Sequence, residues 1–441
     1  MLTTSVLRKA CRVLGWTAIG TWPERLDGVG TDSRASLEHQ LFVALVGERF
    51  DGHEFLDAAV RQGARVLLVQ RLYAARWGRK HPELLVVGVE DTLYALGELA
   101  RLARAEDPRP VVAITGSAGK TTTRWALVQA LEAAGVTAHT QVGNENNRIG
   151  VPRFLLNLPE PVLGPEVVVV ECGTSEPGEI ARLGAICWPN ASIITAVCAA
   201  HTELLIDESG VAHEKGDLAR AASPGEGFAV VVPGDERLEA AALEGERRLL
   251  APYDLMNAPG WSGAPAHLRA NGSKALAVVA ALGFELTDSV VRGARLDPPA
   301  GRGGVIDVHD WRVMDDSYNA NQASMIAALD TAAAAAALDG LPLVACLGEM
   351  RELGDQAEEA HRQVLQHAID VGAQKIVFTG PYAALAAAQA EGHEAVEVTV
   401  ADDASDLLSR IDDLPRPAFV LVKGSRGARM ERWIDAMRER G

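Results

Sequence analysis

Short, uninterrupted runs of apolar residues recur along the chain, and most of them precede a segment with helical periodicity. Runs of β-branched residues are typical of strands that are covered on both faces, as in parallel sheets. The alternation of such strands with helices predicts an α/β fold. The clearest runs are LFVALVG (41–47), ARVLLVQ (64–70), VVAIT (111–115), EVVVVE (166–171), SIITAV (192–197), GFAVVV (227–232), LPLVACLG (341–348), KIVFTG (375–380), AVEVTV (395–400) and AFVLVKG (418–424).

Two segments rich in charge, proline or glycine interrupt this alternation, RAEDPRP (104–110) and LDPPAGRGG (296–304). Both are typical of linkers. They divide the 441 residues into predicted domains 1–107, 108–298 and 299–441. The first is expected to be a small α/β domain, the second a parallel-sheet domain, and the third a second doubly wound unit of the Rossmann type. The alanine run at 332–337 is predicted to be plain helix.

Composition and charge narrow the function. Apolar residues make up 48% of the chain, as in ordinary globular proteins, and the net charge of −17 argues against a general nucleic-acid binder. The five scattered cysteines lack metal-type spacing and predict reduced, mostly buried thiols. No apolar run is long enough to span a bilayer, and MLTTSVLRKACRVLGW predicts a first amphipathic helix rather than a secretory signal. We therefore expect a cytoplasmic protein.

The stretch AITGSAGKTTTRWALVQAL (113–131) carries the strongest single signal. A buried strand leads into a glycine-bearing loop, and an amphipathic helix follows. Glycines let several backbone N–H groups converge on one anion at a helix N-terminus. Lys120 is placed to reach the β- and γ-phosphates of a nucleotide, and the Thr121 hydroxyl to ligate Mg²⁺. The alternative is a simple glycine turn, and the usual first glycine of the motif is replaced by Ile114.

The loop GSAGKTT, offset in this way, resembles the ATP site of the Mur ligases. Six further blocks resemble that family in the same order along the chain. The resemblance implies an ATP-dependent ligase, acting as a monomer, that adds D-alanyl-D-alanine to UDP-N-acetylmuramoyl-tripeptide through an acyl phosphate. The first domain would bind the uridine nucleotide, the second ATP, and the third the incoming amine. The blocks are TDSRASLEHQLFVALVGERFDGHEF (31–55), GNENNRIGVP (143–152), ECGTSEPGEI (171–180), DDSYNANQASM (315–325), GEMRELG (348–354) and LVKGSRGARME (421–431).

The resemblance also assigns the catalytic and metal-binding residues. Glu171 ends a strand of four valines, where a carboxylate fits a Mg²⁺ ligand; a structural salt bridge is the alternative. His201 and Lys215 match further metal-site positions, and two Mg²⁺ ions are expected. Lys215 matches a lysine that several Mur ligases carry as a carbamate, which requires a lowered pKa because only the neutral amine reacts. From the sequence alone, a solvated lysine is the plainer interpretation. The implied catalytic set is Lys120, Glu171, His201 and Lys215, and the implied metal ligands are Thr121, Glu171, His201 and carbamylated Lys215.

The remaining candidate residues bind ligands by the same resemblance. Polar side chains such as asparagine can instead fix turns by local hydrogen bonds, which is the alternative for several of them. The implied ATP-binding residues are Gly116, Ser117, Gly119, Lys120, Thr121, Thr122, Asn271, Arg302, Asp316 and Asn319. The implied substrate-binding residues are Asp32, Ser33, Arg34, Asn146, Asn147, Tyr318, Asn321, Lys423, Ser425 and Arg426.

Three positions depart from the family pattern: Arg148 replaces a more usual acidic residue, Gln322 a proline, and Ala270 a histidine. A related amide ligase acting on a different acid and amine therefore stays open as an alternative. A non-catalytic nucleotide-binding regulator is a second alternative, although it would not need both metal ligands. A P-loop GTPase or kinase is a third, and the missing first glycine and the third α/β domain argue against it.

Overall fold

A computed structural model shows three sheets in succession along the chain. It describes residues 1–47, 50–174, 176–197, 208–221, 227–231, 235–244, 248–261, 264–295, 300–351, 353–390, 397–401 and 410–440. The sheets lie within 17–89, 111–249 and 304–423. Each is flanked by helices, so the described chain has the α/β architecture that the apolar pattern predicts. The domain boundaries at 107 and 298 stay predictions.

The first sheet has five strands in the order β1-β5-β4-β3-β2. Its inner strands are parallel, and β1 pairs antiparallel with β5 at one edge. The Thr3 hydroxyl caps the first helix, which ends at Gly15 in the left-handed conformation, where glycine is favoured. The elements are α1 (Thr4–Leu14), β1 (Thr17–Gly20), β2 (Gly28–Gly30), β3 (Gln40–Val43), a 3₁₀ turn (Gly52–Phe55), α2 (Leu56–Arg61), β4 (Val66–Gln70), α3 (Arg71–Lys80), β5 (Leu85–Val89) and α4 (Thr92–Arg104).

The second sheet is wholly parallel and has the order β11-β10-β9-β6-β8-β7. From β6 the chain continues to β7 and β8, which lie on one side of β6, and then crosses to β9 on its other side. Ligands of such sheets bind where the strand order reverses, so they are expected at the carboxyl ends of these central strands. The elements are β6 (Val111–Thr115), α5 (Lys120–Ala133), β7 (Thr137–Thr140), α6 (Gly150–Leu156), β8 (Glu166–Glu171), α7 (Glu179–Cys187), β9 (Ala191–Ile194), α8 (Glu208–Ala221), β10 (Phe228–Val230), α9 (Glu236–Glu244), β11 (Arg248–Leu249), α10 (Ala266–Ala281) and α11 (Asp288–Gly293).

One face of the second sheet shares a hydrophobic core with the first domain. Side chains alternate along each strand, so Ala113 and Val170 point to one face while Val112 and Val169 point to the other. The first pair packs with apolar residues of α1 and α4, including Leu7. The second pair packs against α5 and α10. The first two domains are thus joined by a common core.

The third sheet has the order β12-β13-β17-β14-β15-β16, parallel except for the β12–β13 hairpin. Separate cores cover its two faces. The elements are β12 (Gly304–Val308), β13 (Trp311–Asp316), α12 (Gln322–Asp339), β14 (Leu343–Gly348), a 3₁₀ turn (Gly354–Gln356), α13 (Ala357–Asp370), β15 (Lys375–Thr379), α14 (Ala383–Ala390), β16 (Glu397–Ala401), β17 (Ala418–Lys423), a 3₁₀ turn (Arg426–Ala428) and α15 (Glu431–Glu439).

The strands predicted from apolar runs all occur, some of them shorter than their runs. The amphipathic first helix and the helix through the alanine run are confirmed. Four cysteines in the described part of the chain are free thiols, and three of them are buried, as predicted; Cys198 lies outside the described residues. Among the helices that the structure describes, none has the length and apolar character to cross a membrane.

Candidate functional site

The loop between β6 and α5 needs glycine at two positions. Gly119 has φ 80°, and a Cβ there would lie 2.9 Å from the Asn271 side-chain oxygen. Gly116 has φ 145°, and a Cβ there would lie 2.1 Å from the Thr195 hydroxyl. Both conformations favour glycine. The loop therefore keeps its backbone close to neighbouring elements while turning into the N-terminus of α5.

The candidate phosphate-binding side chains make contacts within this loop. The Lys120 Nζ donates to the Gly116 carbonyl at 2.6 Å, which folds the lysine over the loop. The Ser117 N–H donates to the Ala196 carbonyl at 2.8 Å. Thr121 is buried at the start of α5, and Thr122 follows it in the same first turn. The loop is preshaped around a lysine at a helix N-terminus, which is an anion-binding arrangement.

Glu171 is the buried acid at the carboxyl end of β8, and only 1% of it is exposed. Its Oε2 accepts a 3.0 Å hydrogen bond from the Thr121 hydroxyl, and its Oε1 accepts one of 3.0 Å from the Asn146 amide. Arg124 NH1 lies 3.6 Å from Oε2. Burial of a carboxylate is costly unless such partners compensate for lost water. Asn146 was predicted to bind substrate, but in the structure its amide donates a hydrogen bond to Glu171, the candidate metal ligand.

Lys215 is a second buried ionisable group, on α8, with 1% of the residue exposed. Burial, and after it the nearby positive charge of Lys120, lowers the pKa of Lys215 from 10.5 to about 7. The plain interpretation of a solvated lysine is therefore wrong. At neutral pH a substantial fraction of such an amine is uncharged, which is the form that reacts with carbon dioxide.

The candidate metal ligands are only partly described. His201 lies outside the described residues. Within the described ranges, no three His, Cys, Asp or Glu side chains cluster as a metal-binding group. The donor chemistry at Glu171 and Thr121 nevertheless fits Mg²⁺, because a carboxylate and a hydroxyl are hard oxygen ligands.

The third domain reaches the phosphate loop through Asn321. Its Nδ2 donates to the Ser117 carbonyl at 3.2 Å, while its Oδ1 caps α12 by accepting from Ser324 N–H. Nearby, the buried Lys423 Nζ donates to Asp316 Oδ2 at 2.5 Å and to the Asn319 carbonyl at 2.9 Å. Asp316 was predicted to bind ATP and Lys423 to bind substrate. In the structure the two side chains form an ion pair with each other.

Three more residues that were predicted to bind ligands lie close together: Arg302, Tyr318 and Arg426. The Arg302 guanidinium lies 4.1 Å from the Tyr318 ring centroid, and Arg426 lies 5.6 Å from the same ring. Burial lowers the pKa of Arg302. The Ser425 hydroxyl is buried and has no hydrogen-bond partner among the described residues. Arg302 and Tyr318 also line a cavity of about 680 Å³ together with residues of α5.

The predicted uridine-binding residues form a self-contained turn. Arg34 donates two side-chain hydrogen bonds to Asp32, which lower the pKa of Asp32 to about 2, and Ser33 lies between them. Asn147 Oδ1 accepts from the N–H groups of Ile149 and Gly150 at the start of α6. The sequence analysis gave turn-fixing local hydrogen bonds as an alternative to ligand binding. Asn147 and the Asp32–Arg34 pair do make such hydrogen bonds. Their ligand roles stay predictions.

Two functional residues were missed by sequence reasoning. Gln141 Oε1 accepts from the Glu171 N–H at 2.7 Å, and its Nε2 donates to the Glu171 carbonyl at 2.9 Å, so it fixes the backbone that carries the acid. Arg124 balances the Glu171 charge. Its position three residues after Thr121 on a helix places both on one face, and this spacing was the available signal.

The fold and the loop define a nucleotide-binding α/β protein in which two further domains meet a P-loop sheet. The sequence pattern of the Mur ligase family, catalytic domain, matches residues 25–104. That of the Mur ligase middle domain matches 114–255, and that of the Mur ligase, glutamate ligase domain, matches 301–426. The chain belongs to the Mur ligase family.

Relatives of known name match almost end to end. The UDP-N-acetylmuramoyl-tripeptide–D-alanyl-D-alanine ligase of Escherichia coli (strain K12) is 33% identical, with 94% of each chain covered. The ligase of the same name from Bacillus subtilis (strain 168) is 30% identical, with 92% of each chain covered. The crystal structure of MurF from Acinetobacter baumannii superposes with a TM-score of 0.84 at 26% identity, covering 99% of both chains.

Proposed function

We propose that this protein joins D-alanyl-D-alanine to UDP-N-acetylmuramoyl-tripeptide, using ATP, in the synthesis of a peptidoglycan precursor. The near-complete match to ligases of that name supports the choice of substrates. We further propose that it acts in the cytoplasm as a monomer. The prediction made from the six sequence blocks and the proposal drawn from the relatives agree.

The observation that carries the proposal is that the third domain contacts the phosphate loop while the first domain contacts the segment that holds Glu171. From the third domain, Asn321 contacts the Ser117 carbonyl. From the first domain, Thr31 lies within 3.4 Å of Arg153, whose side chain pairs with Glu145 beside the Asn146 that holds Glu171. A ligase of this kind first phosphorylates a carboxylate with ATP and then joins an amine to the activated acid. It must therefore bring three ligands, the nucleotide, the acid and the amine, to one place.

In the proposed reaction, an oxygen of the tripeptide's terminal carboxylate attacks the γ-phosphorus of ATP. The bond from that phosphorus to the β,γ-bridging oxygen breaks, which yields an acyl phosphate and ADP. The neutral amine of D-alanyl-D-alanine then attacks the acyl carbon, the bond to the phosphate oxygen breaks, and the amine loses a proton as the amide forms. Lys120 is assigned to balance negative charge on the transferring phosphoryl group.

Magnesium is part of the proposal, with two ions expected. The residues that would hold it are Thr121, Glu171, His201 and Lys215, the last as a carbamate. When bound, the ions would neutralise phosphate charge and polarise the phosphoryl group. This chain's own contribution is to orient Glu171: Arg124 lies 3.6 Å away, and Thr121 and Asn146 donate hydrogen bonds to its two oxygens.

Carbamylation of Lys215 is part of the proposal, and the burial and lowered pKa of its amine support it. The neutral amine nitrogen would attack the carbon of carbon dioxide and lose one proton, which gives an anionic carbamate whose oxygens can serve as ligands. A 44-dalton increase on a peptide that contains Lys215 would support this step. Full activity of Lys215→Ala without added bicarbonate or carboxylic acids would overturn it.

The direct test is incubation with ATP, Mg²⁺, UDP-N-acetylmuramoyl-tripeptide and D-alanyl-D-alanine, followed by mass analysis of the product. We expect one amide, one ADP and one phosphate per turnover. Glu171→Gln should lower kcat at least about 100-fold, because the charge that acts at the phosphoryl group is removed. Release of phosphate with another acid and amine, but not with this pair, would contradict the proposal and support the related amide ligase.

A further inference from the structure

Glu214 is a buried acid on α8 that the proposed reaction does not use, and only 4% of it is exposed. It directly precedes Lys215 in the sequence. Its Oε2 accepts a 2.8 Å hydrogen bond from Gly178 N–H, and its Oε1 accepts one of 2.9 Å from Ile180 N–H. Both donors lie at the N-terminus of α7, where N–H groups lack partners within the helix and negative charge is favoured. A carboxylate of one helix therefore caps another helix.

The same carboxylate reaches the segment that joins β8 to α7. The Thr174 hydroxyl donates to the Glu176 carbonyl at 2.7 Å and lies 3.3 Å from Glu214 Oε1. Thr174 is three residues after Glu171, the buried acid at the end of β8. Glu214 therefore contacts the chain at both ends of the connection between Glu171 and α7.

Helices α7 and α8 also approach closely at a second place. A Cβ added to Gly184, in α7, would lie 2.5 Å from the Cβ of Ala221 at the end of α8. Any larger residue at this position would push the two helices apart, because packed atoms cannot overlap. Glu214 and Ala221 are seven residues apart, which is about 10 Å along the helix axis. The position of α8 against α7 is therefore fixed at two separate points.

Lys215 is the candidate site residue whose place depends on this packing. Its side chain is buried, and its amine lies near Lys120 at the phosphate loop. Because Lys215 follows Glu214 on the same helix, a shift of α8 along α7 would move this amine relative to the loop and to Glu171.

We propose that Glu214 is a positioning residue for phosphoryl transfer, which holds α8, and with it Lys215, in place relative to Glu171 and the phosphate loop. The inference rests on the proposed function. Glu214 acts through the backbone of α7 and the segment before it, rather than on the reacting atoms. Loss of an outer partner of this kind lowers activity or metal affinity about 10- to 100-fold, because the groups at a reaction centre must be held within a fraction of an ångström.

The test compares Glu214→Ala and Glu214→Asp with the intact protein. Aspartate keeps the negative charge but is one methylene shorter, so it separates reach from charge. Without ligands, both variants should exchange the amide hydrogens of Gly178 and Ile180 at least about tenfold faster, as measured by NMR. In turnover, both should lower kcat about tenfold or more and raise the Mg²⁺ concentration for half-maximal rate about tenfold. The KM for ATP at saturating Mg²⁺ should stay within about twofold, because the phosphate loop itself is unchanged.

Asp217→Asn is the matched control, because Asp217 is an acid of α8 that pairs with Arg220 on the same helix at 2.6 Å. It should leave the amide exchange and kcat unchanged. Unchanged exchange in Glu214→Ala, wild-type kcat in Glu214→Asp, or an equal loss of kcat in Asp217→Asn would each overturn this inference alone. If the intact protein forms no product, the proposed function fails, while faster exchange in both Glu214 variants would still show that Glu214 positions α8.

Discussion

The side-chain amide of Asn321 donates a 3.2 Å hydrogen bond to the carbonyl of Ser117, which joins the third domain to the phosphate loop. The same side chain accepts from Ser324 N–H and caps α12. We expect Asn321→Ser to keep the cap and lose the link, because serine is a good N-cap but lacks the amide donor. The KM for ATP should rise several-fold while the unfolding free energy stays within about 0.5 kcal/mol of the wild type.

Asn321→Ala provides the comparison for that variant. It loses both the link and the cap, and it should also lower the unfolding free energy by about 1 kcal/mol. Denaturant unfolding and steady-state kinetics on both variants separate the two roles. An unchanged KM for ATP in both would mean that the Ser117 contact has no part in nucleotide binding.

Gly119→Ala should impair nucleotide binding more than it impairs folding. A Cβ there would lie 2.9 Å from Asn271 Oδ1, in a backbone conformation with φ 80°. Gly135→Ala is the matched control, because Gly135 has φ 76° and nothing within 4 Å of the added atom. Both should cost about 1–2 kcal/mol of stability from the left-handed conformation. The KM for ATP should rise at least about tenfold in Gly119→Ala and stay unchanged in Gly135→Ala, and equal effects would contradict this account of the loop.

Lys215→Met should stabilise the protein in a pH-dependent way. Burial lowers the pKa of Lys215 to about 7 from 10.5, so below pH 7 both folded and unfolded chains hold the proton, and the cost of burying the charge is complete. Between pH 7 and 10.5 the unfolded chain binds more protons, so the stability of the wild type rises with pH relative to the variant. Each tenfold change in proton affinity corresponds to about 1.4 kcal/mol.

The measurement is denaturant unfolding of both proteins from pH 6 to 10 in buffer depleted of carbon dioxide. The advantage of Lys215→Met should be greatest at pH 6 and shrink steadily toward pH 10. A difference that is constant with pH would show that Lys215 has the same pKa in the folded and unfolded chains.

Asn157 holds the first domain to the second through both backbone groups of Val29. Val29 N–H donates to Asn157 Oδ1 at 2.8 Å, and Asn157 Nδ2 donates to the Val29 carbonyl at 2.9 Å. Asn157→Ala leaves both groups without these partners and should lower the unfolding free energy by about 1–3 kcal/mol. Because Val29 lies three residues before Asp32 in the candidate uridine-binding turn, the KM for the nucleotide tripeptide should rise as well.

Asn157→Asp keeps the acceptor for Val29 N–H and loses the donor, so its unfolding free energy should fall between those of the wild type and the alanine variant. Calorimetry with the nucleotide tripeptide and denaturant unfolding test the two effects. Stability equal to the wild type in both variants would show that this pair of hydrogen bonds is replaced by water without loss.

The sequence alone determined the features that depend on local order. The apolar runs predicted the buried strands, and the placement of GSAGKTT between a strand and a helix predicted the phosphate loop. The position of Glu171 at the end of β8 was also predictable, because carboxyl ends of parallel strands are where ligands bind. The family was recognisable because its motifs are contiguous in sequence. These signals arise within about a dozen neighbouring residues, where spacing and backbone preference decide the outcome.

Only the tertiary structure decided which side chains meet. Gln141, Asn146 and Thr121 are 30, 25 and 50 residues from Glu171, yet all three bond to it. The burial of Lys215, and with it the lowered pKa, depends on the packing of α8 against the rest of the domain. Periodicity along one segment says nothing about a partner that lies dozens of residues away, because long-range contacts are set by how separate elements pack.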